Sequence, residues 1–176
     1  MSDVALLPVL PALEPAVLAL NNAHAAELSW LDRDRLRHLL RQAFHACRIG
    51  EVDGFLLAFD QDAAYDSPNY LWFRQRYRRF VYVDRVVVAP AARGRGYAGQ
   101  LYADLFDCAG RTGHDIVVCE VNRDPPNPAS DAFHGRQTGF VFPPCMEATM
   151  LMVTPASSIS HPASRHIADC GLRRAP

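Results

Sequence analysis

The sequence predicts a single mixed α/β domain, and three features of the chain indicate this class. Helical periodicity marks the first quarter of the chain, two short apolar runs joined by a turn follow, and residues 81–121 have the pattern of strand, helix and strand. With 176 residues, of which 49% are hydrophobic and 21% charged, the chain can bury one ordinary core. We expect the domain to span residues 1–154, and residues 155–176, rich in Ser, Pro, Ala and Arg, to form a flexible tail.

Two helices are predicted in the N-terminal part of the chain. Residues 13–28 are rich in Ala and Leu, which favours a helix, and Ser29 or Asp32 can cap the next one. In that second helix, apolar residues recur at helical spacing from Leu36 to Phe44 and define one buried face.

Two short strands are predicted next, near residues 46–49 and 54–59, with a turn between them. A polar loop then leads to residues 70–79, where aromatic side chains alternate with Arg and predict a short helix or an ordered loop. Such an alternation also occurs in proteins that bind nucleic acid, since bases stack on rings while Arg neutralises phosphate. We favour the simpler interpretation, in which the rings pack inward and the arginines face solvent.

The second half of the chain contains the strongest strand signal. Residues 81–89, with three consecutive valines, predict a strand buried on both faces, and Pro90 ends it. A Gly-rich turn follows, and an apolar stripe predicts a helix from about Tyr97 to Arg111. The next buried strand, residues 116–121, completes a β-α-β unit with a right-handed crossover. Further along, the pattern predicts a short helix at residues 129–137 and strands at 140–142 and 148–153.

Charge and composition narrow the function classes. The net charge is −1, so no general field attracts nucleic acid or a membrane surface, and neither is an expected partner. All 18 basic residues are Arg, which excludes a Schiff-base lysine. No run approaches the roughly 20 apolar residues that a membrane helix needs, and the N-terminus lacks a signal-peptide pattern.

Cysteine and histidine usage gives two further expectations. The five cysteines form no Cys-x-x-Cys pair and are too few for a disulfide scaffold, so we expect a reduced, cytoplasmic protein. The histidines at positions 24, 38, 45 and 114 are scattered without metal-ligand spacing, and we therefore predict no metal site.

The segment from Val88 to Ala98 carries the chemistry. A buried strand delivers the chain into a turn that opens a helix, and the free N–H groups and partial positive charge of a helix N-terminus bind phosphates. Gly94 and Gly96 let backbone amides approach an anion without an intervening Cβ. Arg93 and Arg95 add charge-assisted donors. The segment therefore predicts a diphosphate site.

The pattern of this turn selects among diphosphate ligands. The Gly-Lys-Ser/Thr of a P-loop is absent, and so is the third glycine of a Rossmann fingerprint. The turn instead resembles the acyl-CoA loop of the GNAT acetyltransferases, Gln/Arg-x-x-Gly-x-Gly/Ala, through Arg93, Gly96 and Ala98. As in that family, a strand ending in Val-x-Pro precedes it.

The resemblance to GNAT acetyltransferases extends over residues 13–153. Gly54-Phe55 is similar to the start of the family's third strand, residues 127–134 resemble its Asn-x-x-Ala-x-x-Leu/Phe-Tyr helix, and Gly139-Phe140 resembles the pair that closes this helix. The resemblance implies a GNAT fold: a central mixed, largely antiparallel sheet, splayed between strands 4 and 5 and flanked by helices. It also makes a homodimer an expectation.

The family resemblance implies that acetyl-CoA is the co-substrate and that a primary amine, of a small molecule or a protein, attacks its thioester directly. Backbone groups of the fourth strand would hold the pantetheine arm, and amides of the turn would bind the pyrophosphate. The cofactor-binding residues implied in this way are Val86, Val87, Val88, Arg93, Gly94, Arg95, Gly96, Tyr97, Ala98, Asn127 and Ser130.

Two proton transfers then need side chains. Asp84, on the fourth strand, is our candidate for the base that deprotonates the ammonium, and its alternative role is a structural ion pair with Arg85. By alignment with the family's tyrosine, His134 is the candidate acid, and Tyr97 or Tyr102 could take its place.

Other roles stay open at this point. Glu120 and Asn122 end the fifth strand and could contact acceptor or cofactor, and residues 70–79 could border the acceptor pocket. The competing functions are an acyl-CoA sensor without turnover and a nucleic-acid module built on residues 70–79. The sequence names no acceptor, because specificity lies in variable loops.

Overall fold

The computed structural model describes residues 5–121, 128, 133, 140–141 and 149–153. Five helices and seven strands lie in these residues, with one-turn 3-10 helices at Pro11–Leu13 and Pro90–Ala92. The strands are β1 (Leu6–Pro8), β2 (His45–Ile49), β3 (Gly54–Asp60), β4 (Val81–Val88), β5 (Val117–Val121), β6 (Phe140–Val141) and β7 (Thr149–Val153). The helices are α1 (Glu14–Ala23), α2 (Ala25–Leu28), α3 (Arg33–Gln42), α4 (Pro68–Arg74) and α5 (Tyr97–Arg111).

The first predicted helix is in fact two. The prediction of one helix over residues 13–28 is wrong, because the backbone leaves the helical region at His24, where φ is −119° and ψ is 30°. Side chains compete with the helix here: the Asn22 amide donates to the Leu31 carbonyl at 2.8 Å, and its oxygen accepts from the Leu31 N–H at 2.9 Å. These bonds fold the chain back and start α2 as a separate turn.

The second helix is confirmed, with a shorter C-terminal end. Of the two proposed caps it is Asp32 that caps α3, accepting from the Arg35 N–H at 2.7 Å. Leu36 and Leu39 are buried on its inner face. The helix ends at Gln42, since Ala43 is already extended and leads into β2.

The strands form one seven-stranded sheet in the order β1-β2-β3-β4-β5-β7-β6. Five of its six pairings are antiparallel, and only β4 and β5 run parallel. Helix α5 connects these two strands, as the predicted β-α-β unit requires. The expectation of a mixed, largely antiparallel sheet flanked by helices is confirmed.

Helices cover both faces of the sheet. Along β3, Leu56 and Ala58 pack on the side of α5, whereas Phe55 and Phe59 pack on the side of α1, α3 and α4. This alternation explains why β3 is apolar from Phe55 to Phe59, since a strand buried on both faces has no polar side. Residues 70–79, which could have been a helix or a loop, begin in α4, where Tyr70 and Phe73 are buried.

A β-bulge in β4 opens the sheet. The register with β3 passes from Leu57↔Arg85 to Ala58↔Val83, so Asp84 is the extra residue. On the other edge of β4, the pairing with β5 covers only Val81 to Val83 and therefore ends directly before the bulge at Asp84. The predicted splay between strands 4 and 5 is therefore present, because a bulge bends its strand away from the neighbour.

The bulge also changes which backbone groups face the open edge. Before the bulge, the Val81 N–H points toward β5 and donates to the Ile116 carbonyl at 2.8 Å. One extra residue reverses the alternation, so Val86 and Val88 present their backbone polar groups to the β5 side. Because β4 and β5 are not paired beyond Val83, these backbone groups line a gap between the two strands instead of forming hydrogen bonds with β5.

Several sequence predictions lie outside the described residues: most of the short helix at residues 129–137, and the tail beyond residue 153. The predicted terminal strands are confirmed over the described residues, as β6 and β7. None of the helices in the described part of the chain has the length and apolar character needed to cross a bilayer.

Candidate active site

The gap between β4 and β5 is the entrance of a cleft of about 470 Å³. Residues 82–88 of β4 form its floor, and residues 24–29, Tyr65 and Ser67 form the wall on one side. Ala98, Tyr102, Cys119 and Phe133 form the side toward α5, with Arg93 in the turn before that helix. Glu120 lies on the side of Tyr65 and Ser67, since its carboxylate contacts Tyr82 and Asn69. The cleft therefore runs from the Gly-rich turn, along the open edge of β4, to the carboxylates of Asp84 and Glu120.

The Gly-rich turn has the geometry of an anion site. Gly94 and Gly96 have φ angles of +78° and +77°, a conformation that favours glycine, and a Cβ at either position would meet nothing within 4 Å. Backbone conformation rather than crowding thus favours glycine at both positions. Arg93 and Arg95 are exposed, and their guanidinium groups approach the backbone carbonyls of Val88 and Ala91, respectively, at 3.4 Å each.

The N-terminus of α5 follows directly on this turn. Gly96 is the N-cap residue and has no side chain with which to cap the helix, so it leaves the N–H groups of the first turn available to a ligand. Fifteen residues of helix align their dipoles toward this end, which favours a negatively charged ligand.

Glu120 is a partly buried carboxylate of the cleft. It accepts hydrogen bonds from the Tyr82 hydroxyl and, at 2.6 Å, from the Asn69 amide. Burial raises the pKa of Glu120 above its usual range, although both hydrogen bonds act in the opposite direction. The pKa of Tyr82 is also raised, by burial first and then by the charge of Glu120, so Tyr82 stays protonated and remains a donor.

Asp84 belongs to a second network. Its carboxylate accepts from Arg85 Nε at 2.6 Å and from the Tyr65 hydroxyl. The Asp84 and Arg85 side chains are only 6% and 5% exposed, so the ion pair is buried. Burial and the neighbouring Asp84 raise the pKa of Tyr65, which keeps this hydroxyl protonated as well.

Arg85 also holds the cleft wall that residues 24–29 form. Arg85 donates to the Asn21 side chain at 2.7 Å, and Asn21 donates to the Ser29 carbonyl at 3.0 Å. Ser29 has φ +68°, and it is the one non-glycine residue with positive φ among the described residues. Such strain persists where surrounding contacts hold it. The bulged strand and residues 24–29 are thus fixed to each other.

The structure brings together part of the predicted site. Asp84, Val86, Val87, Val88, Arg93 and Ala98 line the cleft. Gly94, Arg95 and Gly96 form the exposed turn beside it, whereas Tyr97 is buried against Ile49 and Ala92. Of the two alternative acids, Tyr102 lines the cleft and Tyr97 is not among its lining residues. His134, Asn127 and Ser130 lie outside the described residues.

Sequence reasoning missed Tyr65, Asn69 and Tyr82 as site residues. Their partners are 19, 51 and 38 residues away in the chain, so no local spacing could reveal them. One signal was available: Tyr82 and Asp84 are two residues apart on a predicted strand, which places them on one face unless a bulge intervenes.

Comparison with known proteins agrees with this arrangement. The sheet opens at a bulge, and a glycine turn and a helix N-terminus lie beside the opening. This arrangement suits a long anionic ligand that binds at the edge of a sheet. Residues 14–140 match the model of the acetyltransferase (GNAT) family. This protein therefore belongs to the GNAT family of acetyltransferases. No curated protein matches it.

Solved structures show the same fold at low sequence identity. Arabidopsis thaliana NAA60 in complex with a bisubstrate analogue is 12% identical, with a TM-score of 0.67 over 86% of this chain and 98% of that one. The NatC complex bound to Gag peptide and CoA is 16% identical, with a TM-score of 0.64 over 87% and 99%. The N-acetyltransferase YhbS of Escherichia coli in complex with CoA is 16% identical, with a TM-score of 0.59 over 90% and 87%.

Proposed function

We propose that this protein transfers an acetyl group from acetyl-CoA to a primary amine by direct attack on the thioester. The observation that carries the proposal is the coincidence of the Asp84 bulge, the end of β4–β5 pairing and the glycine turn along one cleft. Membership of the acetyltransferase family and CoA-bound structural neighbours support the same co-substrate.

Acetyl-CoA fits this cleft in one direction. Its pyrophosphate would bind the amides from Arg93 to Ala98, with Arg93 and Arg95 as charged donors. Its pantetheine amides would pair with the backbone of Val86 and Val88, which face the gap left by β5. The thioester would then lie near the bulge, beside the carboxylates of Asp84 and Glu120. Asn127 and Ser130 remain proposed cofactor contacts by family resemblance.

We propose Glu120 as the base that removes the proton from the acceptor ammonium. A carboxylate whose pKa is raised by burial accepts a proton at neutral pH more readily than an ordinary one. Tyr82 and Asn69 fix its orientation. Asp84, our sequence candidate, is held by Arg85 and Tyr65, and this geometry favours the structural ion pair that was its alternative role.

The leaving CoA thiolate needs a hydrogen-bond donor. Tyr102 lines the cleft and contacts Cys119, and burial raises the pKa of its hydroxyl well above the usual value, so the hydroxyl keeps its proton and would stabilise the thiolate as a hydrogen-bond donor. His134, expected from the family pattern, is the other proposed donor. No covalent intermediate on the chain is required, and Cys119 in the cleft wall keeps its proton because burial raises its pKa to about 12.

The amine would enter from the side of residues 24–29. Glu27 lines this wall, and the buried His24 Nε2 has no hydrogen-bond partner within the described residues. An acidic wall suits a cationic amine before it loses its proton. The NatC structure is bound to a Gag peptide and the NAA60 structure to a bisubstrate analogue, and we propose both peptide N-termini and small amines as candidate acceptors.

The proposal is tested by following free CoA thiol as acetyl-CoA is mixed with the protein and a panel of amines. The panel contains short peptides with free N-termini, lysine peptides and small primary amines. We expect amine-dependent thiol release and a mass increase of one acetyl group on at least one acceptor. An acyl-CoA sensor would bind acetyl-CoA yet transfer nothing to any member of the panel, and that result would contradict the proposal.

A further inference from the structure

A second cluster of reactive side chains lies away from the cleft, between β2 and α5. His45 and Cys47 are two residues apart on β2, so they point to the same face of the sheet. Helix α5 covers this face and contributes Asp104. None of these three residues is among those that line the cleft.

The three donor atoms converge. His45 Nε2 and Asp104 Oδ2 are 2.8 Å apart, and the ligand atoms of His45, Cys47 and Asp104 all lie within 4.8 Å of one another. Tetrahedral zinc, with bonds of about 2.0–2.3 Å, places its ligand atoms about 3.3–3.6 Å apart. The imidazole and the carboxylate would separate by roughly half an ångström to admit the ion.

The donor set selects the kind of ion. One imidazole nitrogen, one thiolate sulfur and one carboxylate oxygen suit zinc and similar transition metals, whereas calcium and magnesium need oxygen ligands. The His45 and Asp104 side chains are 16% and 33% exposed, so solvent reaches the cluster and can supply the fourth ligand. Cys47, only 4% exposed, provides the inner wall.

We propose that His45, Cys47 and Asp104 bind one divalent transition-metal ion of the zinc class. Binding displaces the thiol proton of Cys47, and the histidine proton if it is present, to solvent. The ion would join strand β2 to helix α5, whose N-terminus carries the glycine turn. Sequence spacing does not indicate this cluster, because Asp104 is 59 residues from His45 and belongs to another element.

The test uses the full chain after chelator treatment, in a background with Cys145→Ser and Cys170→Ser so that these thiols cannot bind the ion. Zinc is titrated by isothermal calorimetry, and cobalt(II) is added as a spectroscopic probe. We expect one zinc per chain, a zinc-dependent rise in melting temperature, and a thiolate-to-cobalt charge-transfer band. Cys47→Ala should lose that band.

Two conservative variants address the other ligands. Removing a residue that only orients a metal ligand costs about 10–100-fold in metal affinity. Removing a ligand itself should cost at least as much, so His45→Gln and Asp104→Asn should each weaken zinc binding at least tenfold. Asp107→Asn is the matched control, since it neutralises an exposed aspartate on the same helix, and its zinc affinity should equal that of the background.

Two results would overturn the site. One is zinc affinity in His45→Gln and Asp104→Asn equal to that of Asp107→Asn, and the other is a cobalt spectrum without a thiolate band. Circular dichroism of each variant checks the fold. If Cys47→Ala does not fold, the half-buried His45→Gln variant still decides the question.

Discussion

Gly96→Asp is expected to abolish acetyl-CoA binding and leave the fold intact. The fold should tolerate the change because a side chain at this position meets nothing within 4 Å, and Asp is among the residues that accept a φ of +77°. The new carboxylate would stand at the proposed binding site of the pyrophosphate. Juxtaposed like charges cost several kcal/mol, which corresponds to a loss of affinity of about a hundredfold or more.

Gly96→Asn separates charge from shape. Asn has nearly the same size and the same tolerance for positive φ, but it is neutral. Calorimetric titration with acetyl-CoA should give a much smaller loss for Asn than for Asp, with unchanged circular dichroism in both variants. Wild-type affinity in Gly96→Asp would show that this turn does not bind the diphosphate.

Glu120→Gln should lower turnover by about 10²–10⁴-fold at neutral pH and leave acetyl-CoA affinity unchanged. The substitution keeps the acceptor for Tyr82 or Asn69 but removes the group that takes the proton. The deficit should shrink as pH rises toward the pKa of the acceptor amine, because neutral amine then arrives without help from a base.

The pH profile of the wild type follows from the direction of the pKa shift. Glu120 acts only when ionised, so activity should fall as pH decreases through its raised pKa, at a higher pH than for an ordinary glutamate. The Gln variant should lack this limb. The same burial shift destabilises the ionised folded state, so Glu120 should reduce stability above its ordinary pKa and not below it.

Asp84→Asn distinguishes the two carboxylates. If Asp84 is structural, this variant should melt at a lower temperature, since the buried Arg85 loses its charged partner, and its residual activity should keep the wild-type pH profile. Recovery at high pH in Asp84→Asn, together with a normal profile in Glu120→Gln, would make Asp84 the base instead.

Much of the fold follows from local sequence patterns. The helix from Tyr97 to Arg111 is confirmed at both ends, because an apolar stripe between Gly96 and Gly113 defines it without tertiary help. The strand β4 was equally clear from its valines. The first predicted helix breaks at His24 because the Asn22 side chain bonds to the backbone of Leu31, nine residues further along. Helical periodicity does not indicate such a contact.

The candidate site also has one part that the local sequence predicts and another that it does not. The turn at Arg93–Ala98 could be predicted because one continuous segment contains its strand, glycines and helix start. The networks of Glu120 and Asp84 could not, since Asn69 and Tyr65 come from other elements and meet them only in the folded chain. The bulge that opens the cleft is a property of strand pairing and has no signature in the residues of β4 alone.

The most direct test of the central claim is the melting temperature of the wild-type protein with acetyl-CoA, with CoA and with NADP. A ligand that binds only the folded state raises the melting temperature by an amount set by its concentration relative to its Kd. We predict a clear rise with acetyl-CoA and with CoA, and none with NADP, which shares the adenine and pyrophosphate but lacks the pantetheine arm. No rise with either CoA species would contradict the account and leave the glycine turn as a structural feature only.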